Sequence, residues 1–169
     1  MKTADVLIDA FDRIREVVRH TVGGLTPEQL TLRVDPQANS IAWLVWHLTR
    51  VQDDHVAGVA ELEQVWISGD WTQRFALPFD ARAHGYGHRS EDVAAVRASG
   101  ELLIAYYDAV HEQTVKYVGT LTDADLDRIV DRAWDPPVTL GVRLVSVISD
   151  DLQHIGQAAF IRGIAERRR

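Results

Sequence analysis

The chain has 169 residues, a net charge of −7, 46% hydrophobic residues and no cysteine. A chain of this length can bury a core of its own, so we expect one soluble globular domain over residues 1–169. The lack of cysteine excludes disulfides, iron–sulfur clusters, Cys-ligated zinc and a thiol nucleophile. The acidic balance argues against nucleic-acid binding. Because neither a secretory signal nor a long apolar run is present, we expect a cytoplasmic protein without a membrane partner.

Apolar residues recur every three or four positions over residues 3–22, which predicts an amphipathic first helix. A pair of glycines ends it. Thr26, followed by Pro27 and Gln29, then has the pattern of a capping box with proline at the first helical position. The sequence therefore predicts a short capped helix after the first long one.

The same period predicts two further long helices. The second begins at a cap on Asn39 or Ser40 and continues to about Glu63. The third is predicted without interruption from Ser90 to the stop at Gly119.

Between these two helices, residues 64–89 show no sustained period and predict a long loop. Irregular segments of this length in compact domains commonly cover or line a functional site. Packing of Trp66, Trp71 and Phe75 on the bundle explains the segment equally well.

Thr139 can cap a fourth long helix, which ends in the basic cluster Arg167–Arg169. Cations are favourable at the carboxyl end of a helix, so this cluster predicts a helix end rather than a nucleic-acid site. No strand pattern of comparable strength is present. The expected fold is an all-α four-helix bundle with short extra helices and a long loop between helices 2 and 3, in which sites form from inward side chains on facing helices.

Asp150 and His154 lie one turn apart on one face of the fourth helix, at the edge of its apolar arc. A carboxylate and an imidazole at such a boundary are costly to desolvate unless a metal or a mutual hydrogen bond compensates them. From the spacing alone, a solvated helical pair is the more common outcome.

The second helix offers two histidines, His47 at the edge of its apolar arc and His55 nearer the middle. A histidine joining Asp150 and His154 would complete three protein ligands with an open position, as in catalytic zinc sites. Helical geometry does not show which of the two rings would be the metal ligand. A lone histidine is more often a hydrogen-bonded residue of the core or its boundary than a ligand.

Two motifs carry a resemblance to a known family. Residues 40–48 read SIAWLVWHL, residues 150–157 read DDLQHIGQ, and the middle segment contains GYGH at residues 85–88. Together they resemble the DinB/YfiT-like superfamily, and more narrowly its actinobacterial branch related to mycothiol-dependent maleylpyruvate isomerase and thiol S-transferases. The resemblance implies a four-helix bundle that holds a divalent metal, commonly zinc or nickel.

Carried onto this chain, the resemblance implies His47, Asp150 and His154 as the metal ligands. Many relatives have His or Glu where Asp150 stands. Asp54 is then a candidate partner for the His47 ring, with a solvent-facing carboxylate as the alternative. Gln157 is a candidate for orienting a bound ligand. The alternative is a polar residue at the bundle edge whose hydrogen bonds are already made.

The resemblance further implies an S-transferase or isomerase in which a small thiol, mycothiol or bacillithiol, attacks a small electrophile. A divalent metal lowers the pKa of a coordinated thiol, which suits an enzyme without cysteine. The substrate is then expected beside Trp66, Trp71 and the turn at residues 85–88. His84 and His88 are candidate acid–base groups there, with surface loop histidines as the alternative.

Two other functions stay open at this point. One is a non-catalytic metal-binding or stress-related helical bundle, because fold membership does not establish chemistry. The other is a metal-dependent hydrolase in which the same ligands activate water. Bundles of this kind often pair through exposed faces, so a homodimer is a further expectation, although no residue pattern marks an interface.

Overall fold

The computed structural model describes residues 2–167. In chain order its helices are α1 (Thr3–Val22), α2 (Pro27–Leu30), α3 (Ile41–Ala60), α4 (Val65–Ser68), α5 (Trp71–Phe75), α6 (Ser90–Ala95), α7 (Gly100–Val118) and α8 (Leu140–Arg167). The four long helices form a bundle in which α1 and α3 each pack against both α7 and α8. The predicted all-α four-helix bundle is confirmed.

A short irregular region links α7 to α8. It contains a 3-10 turn at Asp123–Asp127 and the strands β1 (Ile129–Asp131) and β2 (Val138–Thr139), which pair antiparallel with Ile129 opposite Thr139. The sequence prediction missed both strands, because segments of two or three residues are too short to show an alternating pattern.

The predicted helix starts are confirmed where the cap is local. The Thr26 hydroxyl accepts from the Gln29 amide at 3.3 Å, and the Thr139 hydroxyl accepts from the Val142 amide at 3.3 Å. Of the two candidates for α3, Ser40 is the cap and accepts from the Trp43 amide at 3.2 Å. Each cap satisfies a backbone donor that the first helical turn leaves without an intrahelical partner.

The second long helix ends at Ala60, earlier than the predicted Glu63. Glu61 adopts a left-handed conformation with φ of 56°, and its amide bonds to the Ala57 carbonyl. A left-handed residue directly after the last turn closes a helix, and glycine is its usual occupant. A glutamate at this position gave no signal in the sequence.

The prediction of a long loop over residues 64–89 is wrong in its first part, which forms α4 and α5. The side chain of Asp53 on α3 accepts from the amides of Val65 and Trp66, both at 2.8 Å, and so caps α4. Because this cap comes from another helix, local sequence does not reveal it. Trp66 and Trp71 are buried, as the packing alternative expected.

The third predicted helix is interrupted between α6 and α7. Val96 leaves the helical region with ψ of 96°, and the Ser99 hydroxyl starts α7 by accepting from the Leu102 amide at 3.1 Å. Gly100 packs so closely on α1 that a Cβ there would lie 3.1 Å from the Val22 carbonyl oxygen. The apolar period continues across this break, so the sequence predicted one helix where two occur.

The final helix is tied to the end of the first. Arg162 Nη1 donates to the carbonyls of His20, Thr21 and Gly23 at 2.5, 3.0 and 2.9 Å. These acceptors belong to the last turn of α1 and the residue after it, where carbonyls lack intrahelical partners. Of the predicted basic cluster, Arg167 ends α8, and Arg168 and Arg169 lie outside the described residues.

Among residues 2–167, none of the helices combines the length and the apolar character that a membrane span requires.

A buried histidine between α1 and α7 predicts a pH dependence of stability. His111 Nε2 lies 2.8 Å from Asp12 Oδ1, and burial lowers the pKa of His111 below its ordinary 6.5, although the Asp12 carboxylate opposes that effect. Below pH 6.5 the unfolded chain therefore binds a proton that the folded chain does not, so stability is present above this pH and falls on acidification. We expect the free energy of unfolding to fall less steeply between about pH 7 and pH 5 in His111→Gln than in the wild type. Denaturant titrations at several pH values measure this, and parallel curves would contradict it.

Candidate metal centre

Two neighbouring helices bring three donor side chains together. His47 lies on α3, and Asp150 and His154 lie on α8; one donor atom from each falls within 4.8 Å of the others. The rings of His47 and His154 meet edge to face with centroids 4.8 Å apart. His47 is buried, and the other two side chains are half-buried. The three residues that the sequence singled out are thus close enough to share one ion.

The hydrogen bonds of both imidazoles leave the same nitrogen for a ligand. His47 Nδ1 bonds to the His84 carbonyl, and His154 Nδ1 bonds to the Asp150 carbonyl at 2.8 Å. A carbonyl only accepts, so in each ring Nδ1 carries a proton, and Nε2 is the nitrogen whose lone pair is available in the neutral form. A hydrogen bond from one ring nitrogen is the usual way in which proteins orient a metal-binding imidazole through the other.

The loop segment at residues 84–88, here called the strap, contacts His47 from one side. Its Gly85 has φ of +104°, and a Cβ built there would lie 2.5 Å from His47 Nδ1. This position requires glycine both for its backbone conformation and for its contact with the ring. On α3, the Trp43 indole stacks on His47 with centroids 4.6 Å apart and an interplanar angle of 17°.

Burial keeps the His47 ring neutral. It lowers the pKa of His47 to about 4, although the hydrogen bond to His84 opposes the change. A neutral ring is the form that binds a metal, since a protonated imidazole has no free lone pair. The His47 ring is therefore already in its metal-binding form at neutral pH.

The donor set fits a divalent ion. Within residues 2–167, Asp150 Oδ2 is buried and has no hydrogen-bond partner, although His154 Nδ1 lies 3.6 Å from it. A buried carboxylate oxygen without a hydrogen bond can accept a cation. Zinc with bonds of about 2.1 Å holds its ligand atoms about 3.4 Å apart, and the three donors here lie within 4.8 Å of one another. Two imidazoles with one carboxylate are a known ligand set of catalytic zinc sites.

The structure separates the two histidines that helical geometry left open. His55 lies two turns from His47, and its Nδ1 lies 3.1 Å from Arg143 Nη1, from which it accepts a hydrogen bond. Asp54, a predicted partner of the His47 ring, instead accepts from Gln64 Nε2 at 2.6 Å. It is two turns from His47 on a helix, so the nearer His84 carbonyl takes that role.

The two tryptophans predicted at the substrate do not lie with the three donors. Trp66 and Trp71 pack on Tyr106 of α7, with ring centroids 5.1 and 5.3 Å from it. Both are buried, so they serve the packing of α4 and α5 in this structure. Gln157 lies on the exposed surface of α8, one turn beyond His154.

His88 is held by two indoles. Its Nδ1 accepts from Trp43 Nε1 at 3.1 Å, and its ring stacks on Trp46 with centroids 5.6 Å apart. Since Trp43 also stacks on His47, His88 is linked to the donor cluster through this indole. The same strap supplies the carbonyl of His84, whereas the sequence indicated only the His84 side chain as a candidate group. A glycine within the GYGH segment was the available signal for a backbone contact at the site.

Two comparisons with known proteins gave matches. The mycothiol-S-transferase family model matches residues 6–166. A solved crystal structure titled as a conserved protein from Enterococcus faecalis is 32% identical to this chain, with a TM-score of 0.89 and 96% of each chain covered. No curated protein matches the chain. On the extent of the family match, this chain belongs to the mycothiol S-transferase family, within the DinB/YfiT-like fold.

Proposed function

We propose that this protein is a divalent-metal-dependent S-transferase that joins a low-molecular-weight thiol of the mycothiol type to a small electrophile. The observation that carries the proposal is the convergence of His47, Asp150 and His154 within 4.8 Å in a chain of this family. The absence of cysteine is consistent with it, because the reacting sulfur then comes with the substrate.

We propose zinc or nickel as the metal, held by Nε2 of His47, Nε2 of His154 and an Asp150 oxygen. When bound with an open position, such a metal lowers the pKa of a thiol. The protein's own part is to hold both rings oriented and the His47 ring neutral. The His84 and Asp150 carbonyls fix the protonated nitrogens, and burial disfavours the imidazolium of His47.

In the proposed reaction the thiol S–H bond breaks and its proton leaves to solvent. The sulfur electron pair forms a bond to an electrophilic carbon, and the leaving group departs with its own electron pair. Where the electrophile has no leaving group, the proton is instead taken up by the adduct. Two features of the surroundings, the Trp43 ring and the strap at residues 84–88, restrict motion of His47 during this step.

A cytoplasmic location and a homodimer stay predictions.

Metal content of protein purified without a histidine tag tests the ligand set. We expect stoichiometric zinc or nickel in the wild type and a loss of it in His47→Ala and His154→Ala, since each removes one of three donors. His55→Ala is the matched control on the same helix and should keep its metal, because His55 pairs with Arg143. Equal metal content in all four proteins would show that His47 and His154 are not metal ligands.

A conjugation assay with a thiol and an electrophile tests the proposed transferase reaction. Metal-loaded wild type with mycothiol and monochlorobimane should form the thioether faster than the uncatalysed mixture, and His154→Ala should not. Binding of thiol without conjugation to any of a broad set of electrophiles would favour a non-catalytic metal-binding bundle. Hydrolysis of substrates without added thiol would favour a metal-dependent hydrolase.

A further inference from the structure

We propose that Tyr86 is a further catalytic residue of this centre, and that its hydroxyl donates a hydrogen bond to an oxygen atom of the electrophile on which negative charge develops. This inference rests on the proposed function, because it gives Tyr86 a role in the attack of the thiol. Tyr86 is the middle residue of the strap, between Gly85 and Gly87, which both have positive φ. The loop that orients His47 therefore also carries this phenol.

The phenol ring of Tyr86 lies beside the candidate metal ligands. It meets the His47 ring edge to face, with centroids 5.4 Å apart and an interplanar angle of 90°. Partial burial raises the pKa of the Tyr86 hydroxyl, and the carboxylate of Asp150 adds to this effect more than any other charge. Because Coulomb interactions weaken with distance, this indicates that the phenol lies near Asp150 as well. A molecule bound at these ligands therefore has Tyr86 as a neighbour.

The hydroxyl of Tyr86 is free to bind a substrate. Tyr86 is 61% exposed, and within residues 2–167 no group bonds to its hydroxyl; its backbone amide donates to His84 Nδ1 at 3.4 Å. By contrast, the Tyr106 hydroxyl donates to Asp53, and the Tyr117 hydroxyl donates to a backbone carbonyl. A phenol is protonated at neutral pH, so the Tyr86 hydroxyl can donate a hydrogen bond and keep its proton.

The candidate metal ligands themselves offer a substrate no hydrogen-bond donor. Both imidazoles use their Nδ1–H groups on backbone carbonyls, and an ionised carboxylate only accepts. Of the aromatic side chains that contact the His47 ring, Trp43 uses its indole N–H on His88. Among these contacts in residues 2–167, the Tyr86 hydroxyl is the hydrogen-bond donor that remains.

A hydrogen-bond donor at this place assists one class of electrophile more than another. When the thiolate sulfur adds to a carbon–carbon double bond conjugated to a carbonyl, the S–C bond forms and the π electrons move onto the carbonyl oxygen. That enolate oxygen accepts the hydrogen bond from Tyr86, and the enolate carbon then takes up one proton from solvent, which balances the proton that the thiol released. When sulfur displaces chloride, the electron pair leaves with the chloride, and no oxygen gains charge. We therefore expect Tyr86 to favour the first class.

The first measurement compares two electrophiles in Tyr86→Phe, which keeps the ring against His47 and loses the hydroxyl. In metal-loaded protein with mycothiol, kcat for 2-cyclohexenone should fall about tenfold to a hundredfold, and kcat for monochlorobimane should change little. Tyr117→Phe is the matched control and should keep both rates, because its hydroxyl bonds to the Val59 carbonyl. The metal content of Tyr86→Phe should equal that of the wild type. An equal loss with both electrophiles, a loss of metal, or no loss at all would overturn the proposal.

The second measurement does not depend on turnover. Cyclohexanone labelled with ¹³C at its carbonyl has no double bond for sulfur to attack, so it binds without reacting, and infrared difference spectra follow its C=O stretch. A donated hydrogen bond weakens the C=O bond, so the band should lie at a lower wavenumber in the wild type and Tyr117→Phe than in Tyr86→Phe. Equal band positions in the wild type and Tyr86→Phe would overturn the proposal. If the wild type conjugates neither electrophile, the transferase function fails, and the carbonyl band alone decides whether Tyr86 donates.

Discussion

Replacing Asp53 with alanine should lower the free energy of unfolding by about 3–5 kcal/mol, the largest stability loss we expect from a single change. The Asp53 carboxylate is buried and accepts from the amides of Val65 and Trp66 and from the Tyr106 hydroxyl, each at 2.8 Å. Its Oδ2 also lies 3.5 Å from Nη1 of the fully buried Arg50. Burial raises the pKa of Asp53, and these four partners oppose that rise. The alanine variant leaves three donors and a buried cation without their acceptor.

Urea denaturation followed by circular dichroism measures this loss. Asp53→Asn keeps the shape and one acceptor oxygen, so it should fall between the wild type and Asp53→Ala. Asp9→Ala is the matched control, because Asp9 pairs with Arg13 on an exposed helix surface, where ion pairs contribute little. If Asp53→Ala unfolds at the same urea concentration as Asp9→Ala, the buried network does not hold α4 and α7 to α3 as argued.

Gly85→Ala should reduce metal affinity by about tenfold to a hundredfold, although Gly85 offers no side-chain ligand. The new Cβ would lie 2.5 Å from His47 Nδ1 and 3.1 Å from the Trp43 ring. Either the His47 ring moves or the strap lifts, and both break the bond between His47 Nδ1 and the His84 carbonyl. The ring would then lose the hydrogen bond that fixes its orientation and leaves Nε2 for a ligand.

Gly87→Ala separates this contact from backbone strain. Gly87 also has a positive φ, +75°, but a Cβ there meets nothing within 4 Å. Both variants bear a backbone strain of about 1–2 kcal/mol from an alanine with positive φ. Only in Gly85→Ala does the new Cβ also clash with the His47 ring. Competition of each variant with a fluorescent zinc chelator gives the affinities. Similar affinities in the two variants would show that the strap does not position His47.

Much of the fold could be predicted because its signals are local. The limits of α1 follow from a period and two glycines, and the caps of α2, α3 and α8 follow from hydroxyl residues within three positions of the amides that they bind. The failures have distant causes. The cap of α4 is Asp53, and the break before α7 accompanies the close contact between Gly100 and Val22. No window of local sequence contains either pair.

The candidate site, like the fold, could be predicted from sequence only where its signals are local. The spacing of Asp150 and His154 places both on one face of α8, and the structure puts their donors beside His47. The choice of His47 over His55 came from resemblance, because helical geometry did not settle it. What distinguishes the two rings is long-range: His47 bonds to the His84 carbonyl, and His55 bonds to Arg143. These contacts exist only once the strap and α8 are in place.

The stacking of Trp43 on His47 also gives the protein an optical reporter of its own. An indole in face-to-face contact with an imidazole is sensitive to the charge that the imidazole acquires, because a cation over the ring interacts with its π electrons. The same indole donates to His88, so its emission senses both the donor cluster and the strap. Because the chain has four other tryptophans, events at this centre are followed without a label as the difference in fluorescence between the native chain and Trp43→Phe.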